Sequence, residues 1–125
     1  MNNQEAFTKA VTHMRTHPRA IEAGRCVYAT TDGNACAVGC LLPFELAERL
    51  EAEMSELNSY NTGWGAVVRQ AALTRGAAAE AVEFLGDVDQ DLLRSLQDLH
   101  DDRSGDSTED GFVRIARRFE LEIPA

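Results

Sequence analysis

At 125 residues with 44% hydrophobic composition, the chain is long enough for one domain with a real core, and it contains no run near the roughly 18 apolar residues of a membrane span. A net charge of −9 disfavours nucleic-acid phosphate as a partner and favours a basic protein surface. Three cysteines, an odd number, together with an N-terminus lacking a basic-then-apolar leader, predict reduced thiols in a cytoplasmic protein rather than a disulfide framework.

In chain order, NNQEAFTKAVTHMRTHP reads as an opening helix. Asn2 or Asn3 caps it, Ala6, Phe7, Ala10, Val11 and Met14 form its apolar stripe, and His17-Pro18 closes it. CVYATT and ACAVGC then flank DGN, the pattern of a β-hairpin. From Pro43 the spacing predicts a helix with Leu46, Leu50, Met54 and Leu57 inward. NSYNTGWG is a loop by composition. It leads into a helix carrying Trp64, Val67, Val68 and Ala71, stopped at Gly76. AAAEAVEFLG gives a short helix ended by Gly86.

DVDQDLLRSLQDLHDD is the clearest helix, capped by Asp87 or Asp89, with Leu92, Leu93, Leu96 and Leu99 buried. A last helix starts near Ser107 or Thr108 and turns Phe112, Ile115, Ala116 and Phe119 inward, with Arg117 and Arg118 against its C-terminal dipole. The expected architecture is a mainly α, compact single domain spanning residues 1–125: a bundle of five or six helices with a small two-stranded β-hairpin. Leu46, Leu50, Val67, Phe84, Leu92, Leu96, Leu99, Phe112, Ile115 and Phe119 are the expected core.

The hairpin holds all three cysteines, and its register decides which thiols meet. With Asp32, Gly33 and Asn34 all in the loop, Cys26 faces Cys40, and Cys26, Cys36 and Cys40 share one face. With only Asp32-Gly33 in the turn, Cys26 moves to the opposite face. The first register allows a zinc site of three thiolates and one of His13, His17 or His100, although C-x9-C-x3-C lacks the usual C-x2-C knuckle. A thiol nucleophile at Cys36 or Cys40, with His100 as base and Asp101 or Asp102 as orienter, is the other reactive reading. Against both stands packing, because an unpaired cysteine behaves as a small buried hydrophobe. His13 and His17 are spaced to chelate on a helix but lack the H-E-x-x-H glutamate, which favours a plain helix end.

Residues 80–110 carry eleven carboxylates against Arg94 and Arg103. Glu80, Glu83, Asp87, Asp98, Asp101 and Asp102 are the candidate partner-binding residues there, with Trp64 as a candidate aromatic anchor. Such dense like charge reads as a solvated face rather than a tuned acid/base pair. Common nucleotide-binding and serine-hydrolase signatures are absent from the sequence.

An N-terminal helix followed by C-x-Y, CAVGCLLP and then DVDQDLLRSLQDLHDD resembles a family of small bacteriophage and prophage proteins of unassigned activity. The residues carrying the resemblance are Cys26, Tyr28, Cys36, Gly39, Cys40, Pro43, Leu96, Gln97, His100 and Asp101. The resemblance implies a bacterial intracellular setting and a compact domain. It also implies a packing role for Cys40, because that position can be alanine in the family. The combined expectation is a non-enzymatic accessory protein that binds a host or phage protein through its acidic surface and needs no cofactor. Inhibition of a host or defence protein is one outcome of such binding. A zinc- or thiol-dependent protein built on Cys26, Cys36, Cys40 and His100 is the alternative, and the sequence sets no oligomeric state.

Overall fold

The computed structural model describes residues 1–22, 25–57, 63–101 and 107–125, with Arg25 and Cys26 described by backbone alone. Among the described residues six helices dominate: α1 (Asn3–Thr16), α2 (Phe44–Leu57), α3 (Trp64–Leu73), α4 (Ala77–Phe84), α5 (Gln90–His100) and α6 (Thr108–Phe119). Among the described residues, none of these helices is long and apolar enough to cross a membrane. The mainly helical bundle is therefore as the periodicity predicts.

Capping explains where the helices begin. Asn2 and Glu5 form a reciprocal capping box on α1. Asp89 receives the Asp91 amide to start α5, and Ser107 receives the Asp110 amide to start α6. Helix α4 follows a glycine, Gly76, which has no side chain to offer. Its first amides instead donate to α2, Ala77 to Glu53 Oε1 at 3.1 Å and Ala78 to Glu53 Oε2 at 2.9 Å. Together with an Arg49–Glu80 ion pair, this carboxylate cap sets α2 and α4 antiparallel.

The hairpin is smaller than the sequence indicates, and it lies elsewhere. A two-residue antiparallel ladder pairs β1 (Ile21–Glu22) with β2 (Arg25–Cys26), so the Cys26 backbone faces Ile21 rather than Cys40. Downstream, a single bridge joins Ala29 to Ala35, and Cys36 N–H donates to the Tyr28 carbonyl. Neither expected register forms. Past Cys36 the chain coils into a 3-10 turn, Gly39–Leu41, because Gly39 packs directly on the Tyr28 carbonyl oxygen and a second strand cannot continue through that contact.

One core joins α1, the 27–42 segment and the inner faces of α2 to α6. Leu46, Leu50, Val67, Leu92, Leu96, Leu99, Phe112 and Ile115 are buried in it. Phe119 is only partly buried, at the core edge. Phe84 is 46% exposed, because the inward stripe of α4 runs through Ala77, Ala78 and Ala81 to Leu85 and leaves position 84 off it. Leu57 is 56% exposed: α4 begins level with Glu53, so the last turn of α2 extends beyond its cover.

Candidate functional site

The CAVGC segment and the C-terminal end of α5 meet inside the bundle. Cys36 is fully buried, and its Sγ donates to Gln97 Oε1 at 3.3 Å while accepting the Gly39 amide at 3.1 Å. Gln97 sits on α5, and its Nε2 donates to both carboxylate oxygens of Asp101, each at 3.1 Å. Asp101 Oδ1 also accepts from His100 Nδ1 at 3.1 Å. The other ring nitrogen, Nε2, lies 3.5 Å from the Ala20 amide. A chain of hydrogen bonds thus runs from the CAVGC block through Gln97 and Asp101 to His100.

Helical spacing makes this arrangement possible. Gln97 and Asp101 are four apart at the C-terminal end of α5, so the amide and the carboxylate stack one turn above the other. Gly39 allows the opposing backbone to approach: a Cβ there would collide with the Tyr28 carbonyl oxygen. Tyr28 is itself buried, and its amide donates to Glu51 Oε1 at 2.7 Å, tying the segment to α2.

The electrostatics are those of a closed interior. Burial pushes the Cys36 thiol far above its ordinary range, outweighing the lowering effect of nearby amides, with Cys40 and Asp101 raising it further. Cys40 is pushed up to about 12, chiefly by burial, and its Sγ donates to the Ala37 carbonyl at 3.1 Å. Tyr28 is raised by burial and then by the negative groups around it, Cys36, Asp101 and Glu51. A nucleophilic thiol needs its thiolate populated near neutral pH. This environment works against that. The sulfur bonds to Gln97 and Gly39, while the imidazole bonds to Asp101 and Ala20, so the Cys36–His100 couple expected of a thiol catalyst is replaced by separate partners.

Among the described residues, no group of three or more His, Cys, Asp or Glu side chains is placed to hold a metal ion. The Cys26 side chain, one of the four candidate zinc ligands, lies outside the described residues. Of the remaining three, Cys36, Cys40 and His100 each have the hydrogen bonds just given.

The partner-binding candidates divide. Glu80, Glu83, Asp87 and Asp98 are exposed on α4, the turn after it and α5. Glu80 pairs with Arg49 and is held below the usual carboxylate range, first by that hydrogen bond. Asp101 faces inward, committed to Gln97 and His100, and Asp102 lies outside the described residues. Trp64 is a correction: at 2% exposure it is core, not an anchor. Its three-residue spacing to Val67 turns both onto the inner stripe of α3. Among the described residues its indole Nε1 has no hydrogen-bond partner.

Gln97 as a structural hub and Phe44 as a surface residue lie outside the sequence expectations. The signal for Gln97 was the Q-x-x-x-D spacing to Asp101; Phe44, just after the helix-starting proline, carried none. No family model, curated protein or solved structure matches this chain.

Proposed function

We propose that this chain is a small accessory protein of phage or prophage type, acting in the bacterial cytoplasm by binding a protein with a basic surface rather than by catalysis. The observation that carries the reading is the outward side of the α2–α4 pair. The antiparallel register brings Phe44, at the start of α2, and Phe84, at the end of α4, to the same end of the pair, and both are exposed. Glu45 and Glu48 on α2 and Glu80 and Glu83 on α4 are exposed as well, followed by Asp87. Glu80, Glu45 and Glu53 all act on the single Arg49, leaving carboxylates in surplus.

Apolar side chains ringed by like charge match a partner that presents an aliphatic or aromatic anchor flanked by Lys and Arg. Cys36, Gln97 and His100 are buried, Cys36 bonded to Gln97 and His100 to Asp101, which supports a scaffolding role for them. Blocking a host or defence protein follows when the basic surface covered is one that protein uses.

Capture from bacterial lysate with the wild type and a Glu83→Lys/Phe84→Ser/Asp87→Lys variant tests the reading. The expected result is a protein retained by the wild type at low salt, released as salt rises and not retained by the variant. Retention indifferent to both salt and substitution counts against it. Elemental analysis of the purified chain addresses the zinc alternative: about one equivalent of zinc, lost on Cys26→Ser, would favour that alternative instead.

A further inference from the structure

Two arginines from different helices close over the start of α3. Gly65 is the second residue of that helix, and the Cβ it lacks would stand 3.5 Å from Arg94 Nη2, 3.6 Å from Arg69 Nη1 and 3.7 Å from Arg94 Nε. Arg69 comes from one turn further along α3, because long helical side chains run back toward the N-terminus. Arg94 comes from α5, which packs beside α3. Two guanidiniums therefore share one small volume above a residue with no side chain.

Among the described residues, neither Arg69 nor Arg94 has a hydrogen bond or an ion pair. Helix α3 carries no carboxylate, so the positive end of its dipole is uncompensated as well. The carboxylates within one turn of Arg94 on α5 are Asp91 and Asp98. Asp91 lies 3.8 Å from Arg118, and Asp98 is exposed and unpaired with Arg94. In a chain of net charge −9, like charges gathered without a counter-charge are a local reversal of sign.

The first turn of α3 supplies donors of another kind. Gly63 caps the helix without a side chain, and the ladder begins with Ala66 and Val67 donating to the Gly63 carbonyl. The amides of Trp64 and Gly65 precede that ladder. Trp64 is also 2% exposed with its indole Nε1 unpartnered among the described residues. Alanine at position 65 would favour the helix, and its methyl would meet the guanidiniums only at ordinary contact distance. Packing therefore does not call for glycine here, whereas an incoming anion needs the space a methyl would fill.

We propose that Arg69 and Arg94, over Gly65 at the start of α3, bind a tetrahedral oxyanion of the phosphate class, free or as a monoester whose substituent projects to solvent. The two guanidiniums donate to separate oxygens, and the first-turn amides donate to a third. Both arginines are exposed, which leaves the outer side of the site open to a substituent. The site lies on α3 and α5, away from the α2–α4 surface, so it stands or falls separately from the binding reading above.

The test is NMR of the full chain, following the Gly65 amide and the Nε–H signals of Arg69 and Arg94 during titration with inorganic phosphate or O-phosphoserine. Sodium chloride and sodium acetate at matched ionic strength are the controls. The expected result is a saturable shift of all three signals with the phosphate ligands alone. Arg69→Gln and Arg94→Gln, at exposed helical positions, should each weaken binding roughly fivefold or more, and the double variant should abolish it. Gly65→Ala keeps both charges and should weaken binding while raising the melting temperature. Tighter binding of phosphoserine assigns the monoester, and tighter binding of phosphate assigns the free ion. Shifts no larger than those with chloride or acetate, or binding unchanged in the arginine variants or in Gly65→Ala, overturn the proposal.

Discussion

Cys36 and Gln97, 61 residues apart in sequence, share a buried hydrogen bond at 3.3 Å. The bond fastens the cysteine-bearing segment to α5, and through Gln97 it reaches Asp101 and His100. Breaking it at either end removes hydrogen bonds from a buried position. Gln97→Leu removes the acceptor for the thiol and both amide donations to Asp101, which keeps its bond to His100, and should cost about 1–3 kcal/mol. Cys36→Ala orphans the Gly39 amide and adds a small cavity, with a loss of similar size. Urea unfolding of each variant checks this, and the double variant should cost less than the sum of the singles, because the two side chains are in contact.

Close backbone approach makes two glycines sensitive for different reasons. At Gly39 the obstacle is the Tyr28 carbonyl oxygen, a backbone atom that cannot rotate away, so Gly39→Ala should destabilise by about 1–3 kcal/mol. At Gly76 the obstacle is the Glu53 carboxylate, which can move, but only by giving up the amides of Ala77 and Ala78. Gly76→Ala should therefore cost about what a lost helix cap costs, roughly 0.5–2 kcal/mol. In a Glu53→Ala background, where the cap is already gone, the same substitution should cost little. Thermal melts of the four proteins in that cycle give the coupling directly.

Acid should loosen the α1 end of the bundle. His13 has its pKa lowered in the folded chain by burial and by its fellow histidines, so the unfolded chain takes up the proton first. Its contribution is fully present above the unfolded value of about 6.5 and is lost as pH falls through the lower folded value. His13→Gln, which keeps an N–H for the Ala35 carbonyl, should flatten the decline in stability between about pH 6.5 and the onset of carboxylate protonation. Chemical denaturation of both proteins at a series of pH values measures the difference.

Much of the helical framework was legible because α1, α5 and α6 declare themselves twice, in stripe and in cap, and the other helices by their stripes. Leu92, Leu93, Leu96 and Leu99 predict the buried face of α5, and Asp89 and Ser107 stand at the starts of α5 and α6. Side chains failed where a helix ends or where its partner does. Leu57 follows the stripe of α2 yet projects beyond the start of α4, and Phe84 falls beside the stripe that Ala77, Ala78, Ala81 and Leu85 bury, information that exists only once α2 and α4 are paired. The hairpin misled because alternating residues around DGN specify a turn but not how far pairing runs, and Gly39 against Tyr28 cuts it short. Asp101 shows the limit of reading charge from composition. It lies in the acidic run, yet it points into the core.

The packing role of the cysteine segment rests on the state of one sulfur, Cys36 Sγ. Site-resolved mass spectrometry of the folded chain treated with iodoacetamide at pH 8 should find Cys36 unmodified over times that fully alkylate free cysteine, and modified at once in denaturant. Alkylation of Cys36 in the folded protein at the rate of a free thiol would contradict the account, because it would mean an accessible thiolate where the structure places a buried hydrogen-bonded thiol.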